Sequence, residues 1–88
     1  MANFQANILI SLRPSVLDPA GEATRSATQR LGVEGVSKLR IGKFIELEIE
    51  ACEEHEAKEK IELICDRLLA NPVMENWDYQ LKEVNIKH

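Results

Sequence analysis

The 88-residue sequence predicts one α+β domain with the element order β-α-β-β-α-β, four antiparallel strands in one sheet with two helices on one face. Three observations carry that expectation. Apolar residues alternate strictly from Phe4 to Leu12, Asp18-Pro19 marks a helix start, and a second amphipathic run from Glu53 to Ala70 follows two short alternating stretches. A last alternation, Trp77, Tyr79 and Leu81, completes the order.

In the first strand Phe4, Ala6, Ile8, Ile10 and Leu12 share one face, while Gln5, Asn7 and Ser11 share the other. Leu9 interrupts the polar face, which predicts a central strand with its second face partly covered. Arg13-Pro14 then leads into an extended connection, because proline pushes its predecessor out of the α region. Asp18 is placed to accept from free amides as N-cap, and Pro19 at N1 lacks only a hydrogen that has no helical partner there. The helix should run to about Leu31, with Gly32 in the left-handed position after it. Its stripe of Ala20, Ala23, Ala27 and Leu31 is shallow, so the helix is expected close against the sheet.

Val36 to Ile41 and Ile45 to Ala51 read as a hairpin around Gly42-Lys43-Phe44. Side-chain parity sets Lys38 and Arg40 opposite Glu48 and Glu46 on the polar face. The second helix, Glu53 to Ala70, presents Ala57, Ile61, Ile64, Cys65, Leu68 and Leu69 on one side, and Asn71-Pro72 stops it. In the last strand Val84 and Ile86 have the opposite parity to Trp77, Tyr79 and Leu81, which predicts a bulge near Lys82-Glu83. The whole order is ferredoxin-like, with strands one and three central, and residues 1–88 form one domain.

Charge and composition narrow the function. The net charge is −4 and the pI about 5.1, with the bases scattered among acids, which disfavours nucleic acid and anionic lipid as partners. The longest apolar run, Ile8-Leu9-Ile10, falls far short of the roughly 20 residues that span a bilayer. The opening residues Met1-Ala2-Asn3-Phe4 lack the pattern of a signal peptide, and two cysteines are too few for a disulfide framework; a cytoplasmic protein is expected. A chain just above the roughly 80-residue limit below which small domains need a staple should gain stability from self-association.

Candidate chemistry fails on inspection. Cys52 and His55 have ligand spacing but no second pair nearby, so no metal site is expected. Glu46, Glu48 and Glu50 line a flat strand face balanced by Lys38 and Arg40, which suits solvation better than acid–base work. The glycines show neither dinucleotide nor Walker spacing. Trp77 and Tyr79 read as a core anchor and a rim residue, more than as a base-stacking pair. No catalytic residue and no cofactor site is assigned to this chain.

Four segments in order carry a family resemblance: Leu12 to Gly21 with V-L-D-P-x-G, Leu31-Gly32-Val33, Leu39 to Leu47 with R-x-G-K, and Cys65 to Glu75 with L-A-N-P-V-x-E. Together they resemble the PurS family, the small subunit of phosphoribosylformylglycinamidine synthase. The resemblance implies a non-catalytic subunit of an ATP- and glutamine-dependent amidating enzyme of purine biosynthesis. Such a subunit bridges a large synthetase subunit and a glutaminase subunit and assists ammonia transfer, with ATP and Mg on the synthetase. It also implies a homo-dimer or tetramer. The matching turns offer Asp18, Gly42, Lys43, Asn71 and Glu75 as partner-contact candidates. An ACT-like regulatory module that binds a small molecule is the alternative from fold analogy. A small phosphatase-like hydrolase with the same element order is disfavoured, because Arg13 has no glycine cradle beside it.

Overall fold

The computed structural model describes residues 1–84. Its elements are β1 (Ala2–Leu12), α1 (Pro19–Arg30), β2 (Lys43–Ala51), α2 (Glu54–Ile64) and β3 (Glu75–Val84). Among the described residues the sheet has three antiparallel strands in the order β2-β1-β3, which corrects the expectation of four. Residues 33–42 are extended but join no ladder. The hairpin is absent because the chain passes straight through Gly42 into β2 without turning back. The central position of β1 is as expected.

Register explains the core. Phe4 faces Ile49, Ala6 faces Leu47 and Leu81, Ile8 faces Ile45 and Tyr79, and Ile10 faces Trp77. Phe4, Ala6, Ile8 and Ile10 are buried, as strict alternation requires. Ala57, Ile61 and Cys65 of the second helical segment close over them, each fully buried. Apolar burial is worth roughly 25 cal/mol per Å², so this contact between sheet and helix stabilises the fold.

Helix α1 begins as the sequence indicates. Asp18 accepts from the Gly21 amide, Pro19 is the first helical residue, and Gly32 has φ 82°. Val33 N donates to Thr28 O and Gly32 N to Gln29 O, both at 3.0 Å, closing a Schellman cap. The helix does not lie against the sheet, however. Only Gly21 is buried along it, and Ala20, Ala23 and Leu31 are exposed. An alanine stripe supplies too little apolar area to hold a helix down by itself. Among the described residues the helical cover of the sheet comes from α2 and the turn that follows it.

The second helix ends differently from expectation. Its last turn, Cys65–Leu69, widens to an i→i−5 bond from Ala70 N to Cys65 O at 3.0 Å. The extra residue rotates the chain, so Leu68 points outward at 76% exposure while Leu69 stays against the core. The outer face of the sheet also departs from expectation, since Leu9 is 58% exposed there beside Phe44 at 57%. The expected bulge at Lys82-Glu83 is not formed. β3 pairs with β1 in one unbroken register from Leu12↔Glu75 to Asn3↔Val84, and Ile86 lies outside the described residues.

The molecule is long and flat, 51 × 32 × 15 Å, with a radius of gyration of 17.2 Å. A compact chain of this length would have a radius near 12 Å. The difference comes from α1 and residues 33–42, which extend away from the three-stranded sheet.

Candidate functional site

All five candidate residues lie at one end of the sheet, where β1 ends and both β2 and β3 begin. Asp18, Gly42, Lys43 and Glu75, with Ile10, Leu12, Ala20 and Ile41, line an open cleft of ≈ 250 Å³ there. Asn71 joins them through Glu75.

Asp18 is the anchor on one side. It is 8% exposed, and its two oxygens accept from Gly21 N and Ile41 N, each at 2.9 Å. The Ile41 amide, then the Gly21 amide, hold its carboxyl below the ordinary value, with the Arg40 charge adding to them. Both oxygens are occupied, so Asp18 is a structural carboxylate and not a proton acceptor in waiting.

Glu75 anchors the other side. Its Oε1 accepts from Asn71 N at 2.7 Å, and its Oε2 lies 3.8 Å from Lys43 Nζ. Asn71 in turn folds its own turn: its side chain accepts from Val73 N at 3.0 Å and its carbonyl from Glu75 N at 2.7 Å. Lys43 remains 63% exposed, a cation held loosely at the mouth of the cleft.

Gly42 is explained by space. A Cβ there would stand 2.6 Å from Ile10 O, closer than real side chains come. Gly21 is similarly confined, with a Cβ 2.5 Å from Leu39 O. These two close approaches let the N-terminus of α1 and the start of β2 meet around Asp18.

Two arginines lock the surrounding loops. Arg13 donates to Pro72 O at 2.7 Å, and its amide donates to Met74 O at 2.8 Å. Arg40 donates to the carbonyls of Arg13 and Val16 at 3.0 and 2.9 Å. Neither stood among the partner-contact candidates, though both lie inside the segments that carry the family resemblance. Their partners are backbone carbonyls distant in sequence, which no residue pattern reveals.

Elsewhere reactivity is muted. Burial, with Glu62 adding, pushes the Cys65 thiol up, away from the thiolate form that attacks or binds metal. Cys52 is exposed, and no cluster of three or more metal-ligating side chains occurs among the described residues. Trp77 and Tyr79 lie 6.1 Å apart on the helix-covered face, and Tyr79 donates its hydroxyl to Glu62 at 2.7 Å. The pair therefore packs the core. No helix among the described residues is long and apolar enough to cross a membrane. The cleft lining presents shape, the exposed Lys43 cation and hydrogen-bonded turns.

Known proteins similar to this chain point to one family. Residues 5–83 match the family model PurS, described as phosphoribosylformylglycinamidine (FGAM) synthase. A Synechocystis relative named phosphoribosylformylglycinamidine synthase subunit PurS is 49% identical over 79 residues, covering 90% of this chain and 79% of its own. The solved PurS of Bacillus subtilis superimposes with a TM-score of 0.81 at 34% identity, covering 90% of this chain and 98% of that one. A chain in the structure of PurLQS from Thermotoga maritima does so with a TM-score of 0.81 at 37% identity, covering 96% and 100%.

Proposed function

The chain belongs to the PurS family, and from that premise we propose that it is the small, non-catalytic subunit of an FGAM synthase of purine biosynthesis. In this role it bridges a large synthetase subunit and a glutaminase subunit and assists passage of ammonia between them. ATP and Mg belong to the synthetase, and this chain binds neither. The complex works in the cytoplasm, and the chain self-associates as a dimer or tetramer.

The observation that carries the reading is the family match over residues 5–83 together with the gathering of Asp18, Gly42, Lys43, Asn71 and Glu75 at one end of the sheet. Rigid turns on a fixed scaffold suit recognition. Asp18, Gly42 and Asn71 shape the turns, and Lys43 and Glu75 present the charges a partner meets. The superposition on a chain of the T. maritima PurLQS structure supports an assembly of this kind. A match of this extent leaves the ACT-like alternative without support.

Reconstitution tests the proposal. Purified synthetase and glutaminase subunits should make the amidated product from glutamine only when this chain is added, and Lys43→Glu should weaken that stimulation. Equal glutamine-dependent synthesis without the chain would show the assignment to be wrong.

A further inference from the structure

The outer edge of β3 is a row of backbone groups with nothing opposite them. β3 lies at the margin of the sheet, bonded to β1 alone. Arg13 N donates to Met74 O one pair beyond Leu12↔Glu75, so the odd-numbered residues of β1 exchange bonds with the even-numbered residues of β3. Trp77, Tyr79, Leu81 and Glu83 therefore aim their amides and carbonyls away from β1. Glu75 obeys the same parity, and its amide turns outward to Asn71 O. Asp78 Oδ1 accepts from the Tyr79 amide at 2.9 Å. Among the described residues the amides of Trp77, Leu81 and Glu83 meet no acceptor.

Nothing in the strand blunts this edge. Residues 75–84 contain no proline, and their register with β1 runs without a bulge. A helix stands beside it. Glu54 and Lys58 of α2, with Tyr79, Gln80 and Leu81, line an open groove of ≈ 560 Å³. Trp77, Tyr79 and Leu81 are only partly buried under the helix, whereas Phe4, Ala6, Ile8 and Ile10 of the neighbouring strand are closed off from solvent. One further strand would complete their cover.

Charge selects the occupant. The exposed carboxylates of Glu54, Glu62, Asp78 and Glu83 belong to this edge and the helix flank beside it, against the cations Lys58 and Lys82. Lys58 is already drawn to Glu54 at 3.7 Å. A second copy laid on the same edge would bring carboxylates against their like. A segment that carries Lys or Arg meets them with the opposite sign.

We propose that the outer edge of β3 and the adjoining flank of α2 receive an extended, basic segment of a different polypeptide, added to the sheet as a strand along residues 77–83. The proposal rests on the subunit role put forward above and gives that role a contact surface: the segment belongs to a larger subunit of the assembly. Strand addition takes its affinity from main-chain bonds and its selectivity from alternate side chains. The amides of Trp77, Leu81 and Glu83 donate to the incoming strand, and the carbonyls of Trp77, Tyr79 and Leu81 accept from it. On the helix side its side chains enter the groove against Tyr79, Leu81 and the Glu54 carboxylate. On the other side they lie beside Asp78.

Hydrogen exchange in the assembled complex tests this arrangement. In the free chain the amides of Trp77, Leu81 and Glu83 should exchange fast, and those of Asn76, Gln80 and Lys82, bonded to β1, slowly. Purified synthetase and glutaminase subunits are then added singly and together, which also tells which of them supplies the strand. The three fast amides should become slow. Glu83→Pro removes an outward donor and no bond to β1, so the free chain should keep its fold while binding falls roughly tenfold or more. Glu54→Lys, at an exposed position, should weaken binding as well. A complex that forms with these amides still fast, and with both variants at the parent affinity, overturns the added strand while the subunit role stands. Protection that appears in the chain alone as its concentration rises places a second copy on the edge and overturns it too. Absence of any association with either larger subunit removes the subunit role and this site together.

Discussion

Asp18 and Ile41 are joined by a 2.9 Å hydrogen bond from the Ile41 amide to a carboxylate whose other oxygen caps α1 through Gly21. One side chain therefore starts a helix and ties down the extended segment ahead of β2. Because the two tasks use different oxygens, replacing the residue should disturb both at once.

Asp18→Ala is expected to lower the melting temperature by roughly 4–8 °C or more, since loss of an N-cap is worth that much in a domain of this size. Asp18→Asn, which keeps one acceptor, should lose less. Thermal denaturation followed by circular dichroism separates the two, and equal melting temperatures for all three proteins would contradict the double role.

The same carboxylate sets an acid response. Its folded value lies below the ordinary one, chiefly through the Ile41 amide, so its contribution is present above the unfolded value of about 3.9. That contribution fades as pH falls through the lower, folded value. Melting temperature measured against pH should therefore decline on the acid side in the parent chain and decline less in Asp18→Asn.

Tyr79 behaves in the opposite direction. Burial, then the bond to Glu62, raises its phenol to about 12. A raised value means that the neutral form is stabilised by folding. The contribution is intact below pH 10 and is lost as pH rises toward 12. Ultraviolet titration of the folded protein should show the tyrosine ionising late, and Glu62→Gln should bring it earlier.

Lys43 and Glu75 should be coupled only weakly in stability. The lysine is 63% exposed and the separation is 3.8 Å, so a double-mutant cycle with Lys43→Met and Glu75→Gln is expected to give about 0.5 kcal/mol or less. Glu75→Ala alone should cost more than Lys43→Met, because Glu75 also receives the Asn71 amide. Urea denaturation of these five proteins checks the coupling and the ordering.

Ile61 is fully buried beneath β1. Ile61→Val should destabilise by about 1 kcal/mol and Ile61→Ala by roughly 2–5 kcal/mol, following the cavity each leaves. The same urea titration measures both.

Strand β1, the Asp18-Pro19 start, the Gly32 cap and the buried series Ala57, Ile61 and Cys65 were all legible in the residues. Each depends on neighbours within a turn or two, or on a period that one element carries within itself. The outward turn of Leu68, the exposure of α1 and the unpaired course of residues 36–41 were not legible. Alternation marks residues 36–41 as extended without saying which edge they meet, and an alanine stripe marks a helix face without saying what covers it. The candidate end of the molecule divides in the same way. Residue types and turns named Asp18, Gly42, Lys43, Asn71 and Glu75 separately, but only folding carried Asp18 to the Ile41 amide and Glu75 to Asn71 and Lys43. Contacts between residues far apart in the chain depend on how strands stack and where loops return, a property of the assembled backbone that no local pattern encodes.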